Sequence, residues 1–217
     1  MSIKQQNTTA NCPLCTSKSN IYYHQNKRLF FQCSRCFGIF LDKKLWLSNA
    51  KEIERYNTHN NDVEDKNYQH FVSPITTAVV RDFAQHHKGL DFGAGTGPVI
   101  SKVLTDTNFQ IVPYDPYFHN TPSLLESTYD YIVCCEVMEH FYHPEKEFTL
   151  LKNLLKKDGK LYCMTVLFDD SVNFHNWYYK NDPTHVFIYH PNTIHWIKEH
   201  FEFSNVIIEG RLITFSN

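Results

Sequence analysis

The chain has 217 residues, 42% of them hydrophobic and 15% aromatic, which suits one full domain with a small appendage and excludes a disordered chain. No window approaches the roughly eighteen consecutive apolar residues of a membrane span, and the polar stretch Met1 to Asn11 shows no signal peptide. The formal charge of -2 is unevenly placed: residues 1–41 hold Lys4, Lys18, Lys27, Arg28 and Arg35 without a single acid, whereas residues 42–217 hold all 23 acids.

Cys12-Pro13-Leu14-Cys15 and Cys33-Ser34-Arg35-Cys36 form two C-x2-C pairs separated by seventeen residues. Each pair makes a knuckle that points both sulfurs at one metal, and two knuckles complete a tetrahedron. Ile21 to His24 and Leu29 to Gln32 read as hairpin strands between them, with Ile39 to Leu41 as a third. Cys12, Cys15, Cys33 and Cys36 are therefore expected to hold a structural zinc in a ribbon spanning residues 1–41. The basic ribbon suggests an anionic partner, either nucleic acid or protein, but four thiolates on one Zn²⁺ lower its charge to about +3 and weaken that reading. The other cysteines, Cys134, Cys135 and Cys163, fall in apolar strand-like runs, so the seven fit a reducing, cytoplasmic setting better than a disulfide framework.

Residues 42–72 form a polar connector with a helical stretch near Ser48 to Tyr56. Trp46, Tyr56, Tyr68 and Phe71 are costly to leave in water, so the connector is expected to pack. Residues 73–217 alternate helix and strand. Pro74 to Gln85 reads as a helix and Gly89 to Phe92 as the first strand, ending in Leu90-Asp91-Phe92-Gly93-Ala94-Gly95-Thr96-Gly97-Pro98. Glycines at alternate positions allow positive φ and close approach of a ligand, and Pro98 suits the first turn of a helix. The Gly-x-Gly-x-Gly spacing departs from the dinucleotide pattern and disfavours a NAD-linked dehydrogenase. A second strand, Phe109 to Tyr114, ends in Asp115, which lies at the distance where Rossmann-like folds place an acid on ribose hydroxyls; a solvated turn aspartate is the alternative. Tyr129 to Cys135 is the next strand, followed by Glu136-Val137-Met138-Glu139-His140-Phe141. A helix from Pro144 to Lys156, a turn at Asp158-Gly159, a strand from Lys160 to Phe168 and a helix from Pro191 to His200 continue the alternation. Asn205 to Ile208 and Leu212 to Phe215 read as a closing hairpin on a mostly parallel sheet.

The glycine loop, Asp115 and the strand leading into Glu136-Val-Met-Glu-His140 together resemble class I S-adenosylmethionine (SAM) methyltransferases, and the Glu-Val-x-Glu-His segment is similar to that of ubiquinone-biosynthesis-type O-methyltransferases. With the ribbon and Asp182-Pro183-Thr184-His185-Val186, the chain resembles a bacterial zinc-ribbon methyltransferase group over nearly its whole length. The resemblance implies an α/β, Rossmann-like class I fold with a mostly parallel sheet. It places Asp91 near the methionine amino group, Gly93, Gly95 and Gly97 along the cofactor, and Asp115 on the ribose. One departure stands out: only about fifteen residues separate Asp115 from Tyr131, too few for a usual helix and third strand, so the adenine-contacting element is short or missing. Pro116, Tyr117 and Phe118 are candidates for an apolar wall in its place.

Glu136, Glu139 and His140 are spaced i, i+3 and i+4, which a helical turn would place on one face beside the methyl group, and His185 lies in a loop able to reach the same cleft. Two carboxylates and two imidazoles suit a Mg²⁺- or Mn²⁺-like ion, the ligand pattern of small-RNA 3′-terminal 2′-O-methyltransferases. A His base without metal and purely structural roles are the other readings. Trp177, Tyr178 and Tyr179 either shape an acceptor pocket or pack. The expected function is O-methylation of a small-molecule or RNA acceptor; the alternative is a non-catalytic module that binds RNA or protein and keeps the fold as a SAM-holding scaffold.

Overall fold

The computed structural model describes residues 9–58 and 61–217. Four strands form a parallel core: β5 (Lys88–Phe92), β6 (Gln110–Tyr114), β7 (Tyr129–Cys135) and β8 (Leu155–Met164). The hairpin of β10 (Asn205–Glu209) and β11 (Leu212–Ser216) joins β8 antiparallel, giving the order β10-β11-β8-β7-β5-β6. Because successive side chains on a strand face opposite ways, β7 sends Ile132 and Cys134 to one face and Tyr131 and Val133 to the other, all fully buried. A strand covered on both faces reads as an unbroken apolar run, which is why Tyr129 to Cys135 was visible in the sequence. Helices α3 (Ser73–Asp82) and α4 (Val99–Asp106) cover the Tyr131 face through Ile75, Val79, Ile100 and Leu104. Helices α5 (Pro144–Leu154) and α6 (Pro191–His200) cover the other through Phe148, Leu151, Ile194 and Ile197.

The expected shortfall after Asp115 is present. Pro122–Glu126 forms only a short 3-10 helix, no strand lies between β6 and β7, and β6 ends the sheet. One local expectation fails. Helix α5 stops at Leu154, and Leu155 to Gly159 belong to β8, with Asp158 at φ 64° inside a register shift opposite Tyr129 and Tyr131. Tyr129 pairs with Leu155, and Lys156 reaches Asp130 at 2.8 Å, so the Asp158-Gly159 turn is absorbed into the strand. At its far end β8 stops at Met164, short of Phe168, because Thr165 donates to the Arg211 carbonyl instead.

The N-terminal sheet contains β1 (Thr9–Asn11), β2 (Lys18–Gln25), β3 (Arg28–Cys33) and β4 (Ile39–Leu41). Its fifth strand, β9 (Phe187–Ile188), comes from far along the chain and pairs antiparallel with β4. The four ribbon cysteines are buried, and their sulfurs lie within 4.8 Å of one another, which fits a small zinc ribbon. They share a core with Phe31, Phe40, Phe187, Leu90 and Phe92, so ribbon and Rossmann-like body are packed continuously. In the connector, α1 (Asn49–Tyr56) and α2 (Lys66–Phe71) lie between the two sheets in sequence. No helix among the described residues is long and apolar enough to cross a membrane.

Candidate active site

A cavity of about 710 Å³ opens at the carboxyl ends of β5, β6 and β7, where open α/β sheets bind ligands. Its floor is the glycine loop. Gly93 and Ala94 donate to the Tyr114 carbonyl at 2.8 and 3.1 Å, which closes the turn between adjacent strands. Gly93 has φ 78°, and a Cβ there would sit 2.6 Å from the Val137 methyls; a Cβ on Gly97 would sit 1.8 Å from the Asn61 carbonyl oxygen. Both positions therefore exclude a side chain. The Gly97 contact shows that the connector runs directly over the loop.

Two carboxylates brace this floor. Asp91 is buried at the end of β5 and accepts from the Ser101 hydroxyl at 2.8 Å and its amide at 3.3 Å. Burial pushes its pKa up to about 6. Asp115, at the end of β6, accepts from the amides of Gly95, Tyr117 and Phe118 at 3.0, 2.8 and 3.1 Å. It thus ties the glycine loop to the Pro116-Tyr117-Phe118 wall, and all three wall residues line the cavity.

On the far side, β7 ends at Cys135, and the next residue, Glu136, has a φ of 52°, uncommon for a residue with a side chain. A 3-10 turn over Met138–His140 follows directly. Glu139 is buried; one carboxylate oxygen accepts from the Tyr179 hydroxyl at 2.6 Å and the other from Thr165 Oγ1 at 3.1 Å. Desolvation raises its pKa despite these bonds. His140 Nδ1 lies 2.9 Å from the Thr184 carbonyl, and His185 Nδ1 lies 2.7 Å from the Tyr179 carbonyl. A carbonyl only accepts, so both rings carry their proton on Nδ1 and leave Nε2 with a free lone pair. The ring centroids are 5.0 Å apart. Burial lowers both pKa values, that of His185 to about 4, with the neighbouring His140 as the second cause.

Glu139, His140 and His185 are brought together, with potential ligand atoms within 4.8 Å. Glu136 is not in that cluster. Because the turn is only three residues long and begins after it, Glu136 points elsewhere, 2.7 Å from Arg211 Nη2. This is an ion pair without hydrogen-bond geometry, since Glu136 Oε1 has no such partner among the described residues. Burial and then the Glu139 charge raise its pKa to about 7. Of the three aromatics singled out in the sequence, Tyr179 binds Glu139, Trp177 packs in the ribbon-side core, and Tyr178 is exposed.

Two wall residues escaped the sequence reading. Glu52 of α1 is buried and accepts from the Tyr117 hydroxyl at 3.2 Å, docking the connector on the cavity wall. Its helix carried an amphipathic signal, but nothing local said which element would receive it. Glu147 of α5 lines the cavity beside Leu125 and Leu150, and burial raises its pKa. On sequence it is an ordinary first-turn acid, favourable to the helix dipole.

The chain belongs to the methyltransferase-domain family, which matches residues 64–207. Its fold is that of class I SAM-dependent methyltransferases, and the chain is an enzyme of that kind. Among solved structures it is similar to magnesium protoporphyrin IX methyltransferase from Synechocystis PCC 6803 with bound S-adenosylhomocysteine (SAH), at 15% identity and TM-score 0.55, over 78% of this chain and 95% of that one. A SAM-dependent methyltransferase from Archaeoglobus fulgidus aligns at 19% identity and TM-score 0.51, over 65% and 72% of the two chains. Human N-acetylserotonin methyltransferase in complex with SAM aligns at 11% identity and TM-score 0.54, over 78% and 56%. At these identities the likeness is one of fold. No curated protein matches the sequence.

Proposed function

We propose that the chain transfers the methyl group of SAM to a hydroxyl of a small-molecule acceptor, with His140 as the base. The observation that carries this reading is the His140 ring itself. Thr184 holds its Nδ1 proton, burial keeps it neutral, and the ring lines the cavity that contains the glycine loop. SAM supplies an activated methyl, so the protein's tasks are to align the acceptor and take its proton. Gly93, Gly95 and Gly97 line the cofactor's place with bare backbone, the side-chain space at Gly93 and Gly97 being filled by Val137 and Asn61. Asp115 accepts from a ribose hydroxyl at the one lone-pair site its three amide donors leave free, and Asp91 faces the methionine end. Glu147 is a candidate for the adenine side, where the missing strand leaves room. A small molecule is favoured over RNA because the described residues lining the cavity include no Lys or Arg to neutralise phosphates.

The same cluster supports a second reading. Glu139, His140 and His185 form a two-His, one-carboxylate set that suits a divalent ion such as Mn²⁺ or Mg²⁺ with open positions, and a backbone carbonyl orients each imidazole as in many metal sites. In the ribbon, four buried thiols at tetrahedral spacing suit a structural zinc.

The test uses zinc-loaded protein, methyl-labelled SAM and a metabolite extract. Label should pass to an acceptor with wild type and not with His140→Ala, and it should resist a mild chelator. Equal labelling by the variant would remove His140 as the base. Loss on chelation with recovery in Mn²⁺ would favour the metal reading. Because burial depresses the His140 pKa, activity should persist below the ordinary histidine range as pH falls.

A further inference from the structure

Both imidazoles depend on one segment, residues 179–188, and the parallel sheet does not support it. Thr184 supplies the carbonyl that holds His140, and Tyr179 the one that holds His185. The segment touches the body through the Val186 amide, which donates to the Glu139 carbonyl at 3.0 Å, through the Tyr179 hydroxyl, which donates to the Glu139 carboxylate at 2.6 Å, and through Phe187 in the shared core. Its other supports come from the ribbon and the connector. Strand β9 pairs with β4, the Leu41 amide donates to the Val186 carbonyl at 2.9 Å, and a Cβ on Gly38 would lie 2.3 Å from the Phe187 ring. Gly38 lies one residue beyond the second cysteine knuckle, and its carbonyl accepts from the Cys33 amide. Arg28 of β3 donates from its two terminal nitrogens to the successive carbonyls of Asn181 and Asp182, at 3.0 and 3.2 Å. Asp182 in turn accepts from the Thr184 amide and hydroxyl at 2.9 and 2.6 Å, while Arg55 of α1 holds its other oxygen at 2.7 Å. Ribbon residues Phe30, Ile39 and Leu41 complete the support by packing against Tyr179, Val186 and Ile188.

We infer that the ribbon is a built part of the catalytic site, and that Arg28 is a positioning residue fixing His140 and His185 as Nδ1-protonated tautomers with Nε2 bare. The chain of contacts runs from guanidinium to the Asn181 and Asp182 carbonyls, from Asp182 to Thr184, and from Thr184 to His140. A planar fork is needed because two neighbouring carbonyls must be held at once, which a single ammonium does not achieve. The role assigned here rests on the reading of His140 Nε2 as a proton acceptor. The placement of the two protons does not depend on that reading. Zinc enters as the group that shapes the knuckle carrying Gly38, and hence the register of β4 against β9.

The experiment is nitrogen-15 NMR of the imidazoles in full-length, zinc-loaded protein at neutral pH, with SAH binding measured by calorimetry on the same samples. In wild type both rings should report a protonated Nδ1 and a bare Nε2. Arg28→Ala should move His140, through Asp182 and Thr184, and with it His185, whose Tyr179 carbonyl lies two residues before Asn181, toward a tautomer mixture while leaving SAH affinity unchanged, since Arg28 does not line the cavity. Arg28→Lys, the milder change, should fold and keep one of the two carbonyl bonds, giving an intermediate spectrum. Unchanged imidazole signals in both Arg28 variants would overturn the inference, as would an Nε2-protonated ring in wild type. Failure of wild type to bind SAH would count against the proposed function, while the tautomer readout would still decide the role of Arg28.

Discussion

Asp91 and Asp115 are both acids at the ends of adjacent parallel strands, and their surroundings give them different work. Asp91 is tied to Ser101 alone and loses solvent, so its charged form is disfavoured in the fold. A carboxyl raised in the folded state contributes stability that is fully present below the unfolded pKa and is lost as pH rises through the folded value. Asp91→Asn should therefore gain on wild type in thermal midpoint between about pH 4 and 6 and hold that gain above it, as measured by calorimetric melting across that range. Asp115 accepts from three amides, which fix its carboxylate at the cavity. Asp115→Ala should weaken SAH binding by about 1.5–3 kcal/mol, the range for hydrogen bonds to a charged group, by titration calorimetry. At Glu139 the stake is folding itself. Tyr179→Phe removes a donor from a buried carboxylate and should cost about 1–3 kcal/mol in denaturant unfolding, with a smaller loss meaning that Thr165 or water takes over.

At the level of elements, what could be read from the sequence was what is encoded locally. The glycine loop, Asp115 and the strand Tyr129 to Cys135 each carry their own signature: alternate glycines, an acid at a fixed distance, an apolar run buried on both faces. The two C-x2-C pairs likewise announce their own spacing. The two-residue strand β9 had no such signature, because Phe187 and Ile188 become a strand only through the partner that β4 provides. The same holds for the site. Glu139, His140 and His185 could be nominated by type and spacing, and the fold gathers them. Glu136 was grouped with them on the assumption of a full helical turn, but its left-handed backbone and the brevity of the Met138–His140 turn send it to Arg211. Glu52 and Glu147 owe their place in the cavity wall to tertiary docking of α1 and α5, which no single segment records.

For the whole molecule, the shared core has a thermodynamic consequence. The ribbon cysteines, Phe31 and Phe40 lie in the same packed cluster as Leu90, Ile132 and Phe148 of the body. A ligand that binds only the folded state stabilises everything that unfolds with it. Removing zinc, or replacing Cys33 with Ser, should therefore lower the midpoint of a single cooperative transition, monitored in parallel by circular dichroism and by fluorescence of Trp46, Trp177 and Trp196. Two separated transitions would show that the ribbon unfolds on its own.

Among the described residues the strand β6 has a neighbour on one side only, β5. An open flank of this kind exposes backbone donors and acceptors to any passing strand, and proteins blunt it with proline, which offers no amide hydrogen. Pro113 is the fourth of the five residues of β6, opposite Asp91, with Val112 exposed beside it. The shortened connection thus leaves the molecule with a self-association hazard, and Pro113 is placed to limit it. Pro113→Val should restore the missing donor and raise the tendency to aggregate with concentration, visible by light scattering, while SAH binding through Asp115 two residues away is retained.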